Sequence, residues 1–134
     1  MIIERNIAPY VVFAEDPILN ALQKISANGQ RIIFLVNESG ILRGSLSDGD
    51  FRRWLIANPT ASLETSALEA ANTNPQTAPA NAEPETLRAY FAKGINHVPL
   101  TDERGHLVAL AMDEQDVLRI GKHTISEDSP SFII

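Results

Sequence analysis

The sequence predicts a mixed α/β (α+β) fold made of two copies of one β-α-β-β-α unit. Its 134 residues suffice for one domain of ordinary size or for two small repeats that share a core. An offset of 65 residues, the distance from position 29 to position 94, places Gly94 on Gly29. The same offset places Gly105 on Gly40. Each half also has the same order of features: amphipathic helix, glycine, apolar strand, acidic turn with glycine, apolar strand and short helix.

The first helix of the first copy is predicted to start at an Asp-Pro pair. The Asp16 carboxylate can accept amide hydrogens of the first helical turn, and Pro17 at the first helical position loses no hydrogen bond. Gly29 is expected to end the helix because glycine adopts positive φ at little steric cost. The face predicted to point inward carries Ile18, Leu22 and Ile25.

Strands and a second helix complete the first copy. Tyr10 to Phe13 is predicted as an opening strand, and Arg31 to Val36 as a central strand because it is too apolar for an exposed edge. Asn37 to Gly40 supplies turn residues before a third strand, Ile41 to Ser47. A short helix is expected from Asp50 to Asn58, since a proline follows.

The second copy repeats this order. A helix is predicted to start at Pro84 and to stop at Gly94. Ile95 to Leu100 and His106 to Met112 are predicted as strands, and Glu114 to Ile120 as the closing helix. The residues expected to point inward from the first of these helices are Leu87, Tyr90 and Phe91.

These elements divide the chain into four parts. Residues 1–58 form the first repeat and residues 81–121 the second. Residues 59–80 connect them; they are rich in Ala, Asn, Thr and Pro, and only residues 63–71 are expected to form one or two helical turns. Residues 122–134 are polar at first and end in a short apolar run.

Composition argues against several classes of function. Eleven basic and seventeen acidic residues give a net charge of −6 without a basic patch, which argues against nucleic-acid binding. Without cysteine there is no disulfide or thiolate site, and three scattered histidines argue against a structural metal. The N-terminus does not resemble a secretory signal, and no apolar stretch approaches about eighteen residues. We therefore expect a cytoplasmic protein that does not bind membranes.

The sharpest local feature is Gly44 to Arg53, where the third strand meets the second helix. Helix N-terminal amides, the Ser47 hydroxyl and the Asp50 carboxylate are typical of a site for phosphate and ribose. The same two side chains also fit a capping box, which stabilises a helix start without a ligand and is the favoured interpretation on these residues alone. Arg52 and Arg53 can bind a phosphate or form a solvated helix face.

Other candidates for chemistry are weaker. His97 lies within a predicted strand, where a histidine with satisfied hydrogen bonds is favoured over one that faces a cleft. Trp54 is interpreted as an anchor of the core between the repeats rather than a platform for bases. Neither a G-x-S-x-G elbow nor a P-loop is present. A stand-alone enzyme that uses Ser47, Asp50 and His97 is therefore the least favoured function.

Three segments resemble those of a cystathionine-β-synthase (CBS) domain pair, also called a Bateman module. They are Gly44 to Asp50, His97 to Leu100 and Asp102 to Gly105, and the resemblance covers roughly residues 7–121. It implies two β-α-β-β-α repeats packed with pseudo-twofold symmetry. It also implies two clefts between the repeats that bind adenosine-type nucleotides or related ligands.

The ribose signature of this family is matched in the first copy. Gly44, Ser47 and Asp50 stand at the signature positions, although Ser45 occupies a position that is usually apolar. The resemblance therefore implies at most one well-formed site, because the second copy departs further. Its counterparts are Ala109 for the glycine, Met112 for the hydroxyl and Asp116, one residue late, for the acid.

The resemblance also implies how a ligand is surrounded. It places a hydroxyl and a carboxylate against the ribose, apolar backbone against the base, and arginine against the phosphate. The implied ligand is an adenine nucleotide or a CMP-type nucleotide, and no metal is implied. The residues are Ser47 and Asp50 for the ribose, Val11, Val12, Ile32 and Ile33 for the base, and Arg31, Arg52 and Arg53 for the phosphate.

Two segments indicate that the module belongs to a longer protein. Residues 47–53 are similar to CBS domains attached to bacterial sugar-acid and nucleotide-sugar enzymes, including arabinose-5-phosphate isomerases and sugar nucleotidyltransferases. Residues 131–134 resemble the opening barrel strand of N-acetylneuraminate (sialic acid) synthases. We therefore expect a non-catalytic N-terminal module, with residues 122–134 a linker and the start of an absent C–C bond-forming catalytic domain.

Two functions follow from the resemblance. The leading hypothesis is a sensor, in which a nucleotide or nucleotide sugar biases the arrangement of the two repeats and of an attached enzyme of sugar-acid biosynthesis. The alternative is a CBS pair without ligand that serves as a dimerisation scaffold of that enzyme. A homodimer is expected, with apolar helix residues such as Trp54 and Leu55 at the contact.

Overall fold

The computed structural model describes residues 1–113 of the chain. Within this range it has three helices, two β-sheets and two short 3₁₀ turns at Ala8–Tyr10 and Ala67–Ala70. The helix expected over 114–120, Asp116 and the tail at 122–134 lie outside the described residues. The elements are β1 (Ile2–Glu4), β2 (Val11–Phe13), α1 (Ile18–Asn28), β3 (Ile32–Val36), β4 (Leu42–Ser47), α2 (Asp48–Ala57), β5 (Ala78–Pro79), α3 (Pro84–Ala92), β6 (His97–Thr101) and β7 (Leu107–Met112).

Each half of the chain forms the centre of one sheet. In the first sheet β3 lies between β2, to which it runs parallel, and β4, to which it runs antiparallel. In the second sheet β6 lies between β5 and β7 with the same parallel and antiparallel relations. The predicted mixed fold of two similar units is therefore confirmed, and β3 is central as expected.

The offset of 65 residues holds for the paired strands at every residue. It carries the bounds of β3, Ile32–Val36, onto those of β6, His97–Thr101. It likewise carries Leu42–Ser47 of β4 onto Leu107–Met112 of β7. Even the shift in pairing register after the fourth residue of β3 recurs at the equivalent position of β6.

Two backbone hydrogen bonds join the halves about a pseudo-twofold axis. The Leu42 amide donates to the Gly105 carbonyl at 3.0 Å. Its repeat counterpart, the Leu107 amide, donates to the Gly40 carbonyl at 3.1 Å. Because the offset exchanges one bond for the other, the two turns before β4 and β7 bind each other reciprocally. Both glycines have positive φ, 86° and 89°, which explains why glycine stands at this position in each turn.

Matching side-chain turns fix the two loops that meet at this axis. Asn37 Oδ1 accepts hydrogen bonds from the amides two and four residues further on, the latter from Ile41 at 3.0 Å. Asp102 Oδ1 does the same in the second half and accepts from the His106 amide at 2.9 Å. The residues Ile41 and His106 then form an isolated antiparallel bridge between the halves. Amide and carboxylate oxygens thus serve the same structural purpose here.

The hydrophobic core has three layers. One lies between the first sheet and α1, and a second lies against the helix of the other half. The third layer, which we call the central core, lies between the sheets and contains residues of both halves. Its fully or nearly buried members are Phe34, Val36, Leu107, Leu110 and Met112.

The start of α1 differs from the prediction. Asp16 does not cap the helix; its Oδ2 accepts from the Phe13 amide at 3.2 Å. The first amides of α1 donate instead to carbonyls of the connecting segment, Ile18 to Thr65 at 2.8 Å and Leu19 to Leu63 at 3.1 Å. The connection therefore caps the helix through backbone contacts that are distant in sequence.

The position of Trp54 also corrects the sequence interpretation. The indole is half-buried and packs against the core layer beneath α1, with its ring centroid 6.2 Å from that of Phe51. It does not belong to the central core between the repeats. The reason is the helical spacing of α2, which directs Phe51 and Trp54 to the same side of the helix.

A segment at the start of the first repeat and a segment before the second repeat each pair with the sheet of the other half. β1 lies at the start of the first repeat but pairs antiparallel with β7 of the second sheet. Asn72 precedes the second repeat but bridges Ser45 of β4, the edge of the first sheet. Leader segments of both repeats therefore cross to the opposite half and tie the halves together. Among residues 1–113, no helix is long and apolar enough to cross a membrane.

We expect the Asp102 turn to make the free energy of unfolding depend on pH in the acid range. The His106 amide is the main cause that lowers the pKa of Asp102 below its ordinary value of 3.8. A lowered folded-state pKa contributes stability above pH 3.8 that is lost as the pH falls through the folded-state pKa. In urea unfolding, Asp102→Asn should keep the turn, as Asn37 does, but lose less stability than wild type on acidification. Equal acid sensitivity of the two proteins would contradict this assignment.

Candidate functional site

The start of β3 and the start of α2 meet at one end of the first sheet. Ile32 is paired with Ser47 across β3 and β4. The Asp48 amide, the first of α2, donates to the Arg31 carbonyl at 3.2 Å. The structure therefore brings together Arg31, Ile32, Ser47 and, one helical turn on, Asp50, all four predicted as site residues. We call this region the α2 cleft end.

The capping box predicted at the start of α2 is confirmed. Ser47 Oγ accepts from the Asp50 amide at 3.1 Å, and Asp50 Oδ2 accepts from the Ser47 amide at 3.0 Å. A second carboxylate oxygen, Asp50 Oδ1, accepts from the Arg53 guanidinium at 2.7 Å. Both side chains are thus held in one orientation. α2 consequently begins at Asp48, two residues before the predicted start.

The capping box leaves binding capacity at the same atoms. Ser47 Oγ accepts one bond and still has its own proton to donate. The Asp50 carboxylate offers about four acceptor positions, of which Ser47 and Arg53 occupy two. Within residues 1–113 the Gly49 amide has no hydrogen-bond acceptor. The arrangement can accept from sugar hydroxyls and donate to an anion at the helix N-terminus.

Arg31 has a strained backbone at the α2 cleft end. Its φ is 65°, and it is the one described residue other than glycine with positive φ. A left-handed conformation costs about 1–2 kcal/mol for a residue with a Cβ atom. Arg31 and Arg52 are both exposed, and neither guanidinium has a partner within the described part of the chain. Two unpaired cations therefore lie on the elements that meet here, whereas Arg53 is paired with Asp50.

Ile32 and Ile33, both predicted to border the base, lie on opposite faces of the first sheet. Ile32 and Ser47 share the face that looks toward the central core, because directly paired residues point to the same side of a sheet. Ile33 is fully buried on the opposite face, beneath α1. Its side chain therefore belongs to the core, and only its backbone borders the α2 cleft end.

Gly44 and Val12 lie further along the sheet. Both are paired with Leu35, three residues from Ile32, which corresponds to about 10 Å along the strand. A Cβ atom on Gly44 would lie 2.8 Å from the Asn72 carbonyl oxygen. The signature glycine thus permits the close approach of the leader segment to β4. Val12 is 6% exposed and packs in the core beneath α1.

The equivalent end of the second half keeps the backbone geometry and changes the side chains. The Asp113 amide donates to the Asn96 carbonyl at 3.1 Å, as its counterpart in the first half does. Met112 is buried at the position of Ser47 and offers no hydroxyl. His97 stands at the position of Ile32, and its Nε2 lies 3.0 Å from Gln30 Oε1, which agrees with the favoured reading of a hydrogen-bonded histidine.

Two crevices lie at the opposite end of the strands and were not anticipated. One, of about 680 Å³, is bordered by the ends of β2 and β3 and includes the half-exposed Phe13 together with Arg43. The other, of about 510 Å³, lies at the repeat-equivalent ends of β5 and β6 and includes Asp102. Among residues 1–113, no group of three or more His, Cys, Asp or Glu side chains could hold a metal ion.

Residues 5–57 match the family model of the CBS domain. The chain is 29% identical over 114 residues to the arabinose 5-phosphate isomerase GutQ of Salmonella typhi. This alignment covers 84% of this chain and 34% of that protein. The chain thus spans about a third of the length of the curated relatives it matches.

Solved structures show the same fold over nearly the whole chain. AcuB from Vibrio cholerae superposes with a TM-score of 0.69 at 23% identity and covers 96% of this chain and 98% of that one. The CBS domain protein PAE2072 from Pyrobaculum aerophilum, in complex with AMP, has a TM-score of 0.62 at 17% identity and covers 85% of this chain and 92% of that one. The chain therefore has the fold of a CBS domain pair, with a first half that matches the family sequence model.

Substitution of the signature glycine should affect stability. Gly44→Ala would place a Cβ atom against the Asn72 carbonyl oxygen, and such overpacking against backbone costs about 1–3 kcal/mol. Urea denaturation measures the loss.

Gly49→Ala is the matched control within the same motif. Its nearest contact is the Arg53 guanidinium at 3.4 Å, the mobile end of a side chain. We expect its unfolding midpoint to be at or above that of wild type, because alanine favours a helix over glycine. If the two variants are equally stable, the Asn72 carbonyl does not restrict the side chain at position 44.

Proposed function

We propose that this chain is a regulatory module that senses a nucleotide or nucleotide sugar at the α2 cleft end of its first repeat. The observation that carries the proposal is the convergence of four unused binding groups. They are the Ser47 hydroxyl proton, the free acceptor sites of Asp50, the unpaired Gly49 amide and the unpaired guanidinium of Arg31. Sugar hydroxyls and a phosphate are the ligand groups that match this set.

Each part of the ligand has a proposed contact. The Asp50 carboxylate would accept from the ribose hydroxyls, and Ser47 would donate to the sugar or to a phosphate oxygen. Arg31 and Arg52 would bind the phosphate, with the helix N-terminus contributing the Gly49 amide. Ile32 would border the base. AMP is the first ligand to test because the structure of the CBS domain protein PAE2072 is a complex with AMP, and CMP-type nucleotides are the second.

Sensing requires two arrangements with different affinity for the ligand. The Gly40 and Gly105 carbonyls hold the halves together at one end of the sheets, through the reciprocal backbone bonds. At the α2 cleft end the described contact between polar side chains of the two halves is that of Gln30 with His97. A ligand that contacts both halves here would therefore bias their relative orientation without breaking the backbone junction.

The attached enzyme is proposed to act on a sugar acid or sugar phosphate. GutQ, an arabinose 5-phosphate isomerase, extends well beyond the segment it shares with this chain. A catalytic domain in a longer parent protein fits this relation, and we propose that it lies C-terminal to this module and works in the cytoplasm. The finer hypothesis of a sialic acid synthase rests on the resemblance of residues 131–134, together with that of residues 47–53 to CBS domains attached to sugar-acid enzymes. The next segment of the reading frame tests it directly, since a synthase barrel or another catalytic domain would be recognisable there.

Thermal unfolding with added AMP, ATP, CMP or a CMP-sugar tests the sensor. A nucleotide at about 100 times its dissociation constant should add about 2.7 kcal/mol to the free energy of unfolding. Arg31→Ala should weaken AMP binding about tenfold to a hundredfold, because a hydrogen bond to a charged group contributes about 1.5–3 kcal/mol. Isothermal titration measures this loss.

The control for charge is Arg88→Ala. Arg88 is exposed on α3 of the second half and should leave AMP affinity unchanged. Adenosine, which lacks the phosphate, should bind wild type and Arg31→Ala alike. If none of the nucleotides raises the unfolding temperature of the folded wild-type chain, the sensor proposal fails.

The second candidate is a dimerisation scaffold, and an exposed apolar helix end favours it. Ile56 is 75% exposed and Leu55 is 38% exposed, so two adjacent apolar side chains face outward at the end of α2. A homodimer would cover them.

Light scattering separates assembly from sensing. Ile56→Asp should convert a dimer into a monomer if α2 forms the contact, whereas Asp50→Ala should leave the mass unchanged. A dimer that persists in Ile56→Asp would exclude this contact. A dimer of wild type without affinity for any nucleotide would favour the scaffold over the sensor.

A further inference from the structure

Ser45 is a buried polar residue whose hydroxyl has no use within the fold. Ser45 is 6% exposed, and it is the one polar residue among the buried residues of the described range 1–113. Its backbone is fully engaged, since the amide donates to the Asn72 carbonyl at 2.9 Å and the carbonyl accepts from the Asn72 amide at 2.8 Å. No group of the described chain forms a hydrogen bond with Ser45 Oγ.

The hydroxyl lies on the face of the first sheet that looks toward the central core. Ser45 is paired directly with Phe34, a member of the central core, so both side chains point to the same side of the sheet. Ser47 lies two residues further along β4 and therefore points to this side as well. Leu46, between them, is fully buried on the opposite side beneath α1.

The second half shows that this position does not require a polar residue. The repeat counterpart of Ser45 is Leu110, which is fully buried in the central core. A hydroxyl buried without a hydrogen-bond partner is less favourable than an apolar side chain of fitting size. The first half therefore contains the more costly residue at a position where the same backbone accommodates an apolar one.

We infer that the Ser45 hydroxyl reads the hydrogen-bonding edge of the nucleotide base, an inference that rests on the proposed function. Ser47 and Asp50 hold the sugar at the helix start, with the phosphate toward Arg31. Ser45 lies about 7 Å further from the helix start along β4, at the depth that a base reaches when its ribose is held at position 47. Its cross-strand neighbour Phe34 is 1% exposed in the central core, so the surroundings of the hydroxyl on this face are apolar.

The chemistry that fits is a base with a ring nitrogen or an exocyclic amino or oxo group directed into the sheet. A serine hydroxyl can both donate and accept, so it matches the polar edge of adenine or cytosine and penalises a ligand that is apolar there. Ser45 is thus a specificity-determining residue, distinct from the sugar and phosphate contacts.

Ser45→Ala tests the inference in two independent measurements on the whole chain. Without ligand, the urea unfolding midpoint should be equal to or higher than that of wild type, because a buried unpaired hydroxyl is removed. With AMP, or with CMP if that is the nucleotide that binds wild type, affinity by isothermal titration should fall about tenfold, equivalent to about 1.4 kcal/mol.

Two other serine variants serve as controls for this result. Ser47→Ala should lower both the unfolding midpoint and nucleotide affinity, because Ser47 caps α2 and is proposed to contact the ligand. Ser39→Ala, in an exposed turn, should change neither. Only a ligand-reading hydroxyl without a structural partner predicts that affinity falls while stability does not.

The outcomes separate this inference from the proposed function. If Ser45→Ala lowers the unfolding midpoint as much as Ser47→Ala, the hydroxyl supports the fold and the inference is overturned. If wild type and Ser45→Ala bind the nucleotide equally, the inference is overturned while the sensor proposal stands. If wild type binds none of AMP, ATP and CMP, the proposed function fails and this inference fails with it.

Discussion

The reciprocal backbone bonds about the pseudo-twofold axis are the constraint on which the rest of the structure depends. Leu42 donates to Gly105 and Leu107 to Gly40, so each turn supplies both a donor and an acceptor to its counterpart. This junction places the apolar faces of two sheets against each other, and neither sheet could bury its face alone. It also fixes which strand ends meet at the far end, where Gln30 of one half contacts the other half.

Symmetry of the backbone and asymmetry of the side chains have different consequences. The repeat keeps strand bounds, register shift and turn geometry, all of which are needed for the shared core. It does not keep the polar residues of the first half, since Ser47 and Ser45 correspond to Met112 and Leu110. Packing requires only that these positions be small enough or apolar enough for the central core. Ser47 has a structural use as the cap of α2, whereas neither packing nor capping accounts for the Ser45 hydroxyl, which the proposed ligand would contact.

Local sequence signals made the repeat predictable. Contacts between residues far apart in the sequence could not be predicted from such signals. Helix-ending glycines such as Gly29, with φ of 69°, and short apolar runs gave the helices and strands, because each acts within a few residues. The pairing of β1 with β7, the caps of α1 by residues 63–65, and the approach of Asn72 to Gly44 join parts of the chain that no short pattern relates. The candidate site residues were identifiable as a sequence motif, but the strain at Arg31 and the unpaired Ser45 hydroxyl required the structure.

The two interpretations of Ser47 and Asp50, as a helix cap and as a ribose site, are compatible. The cap uses one oxygen of the Asp50 carboxylate, and the other is paired with Arg53, whose side chain is 74% exposed. An exposed ion pair of this kind contributes about 0–1 kcal/mol, so a sugar hydroxyl can replace it at little cost. The displaced guanidinium would then be free beside the helix start, next to the position proposed for the phosphate. A ligand would thus exchange a weak surface ion pair for its own contacts while α2 keeps its cap, and this allows a structural motif to bind reversibly without unfolding the helix that it starts.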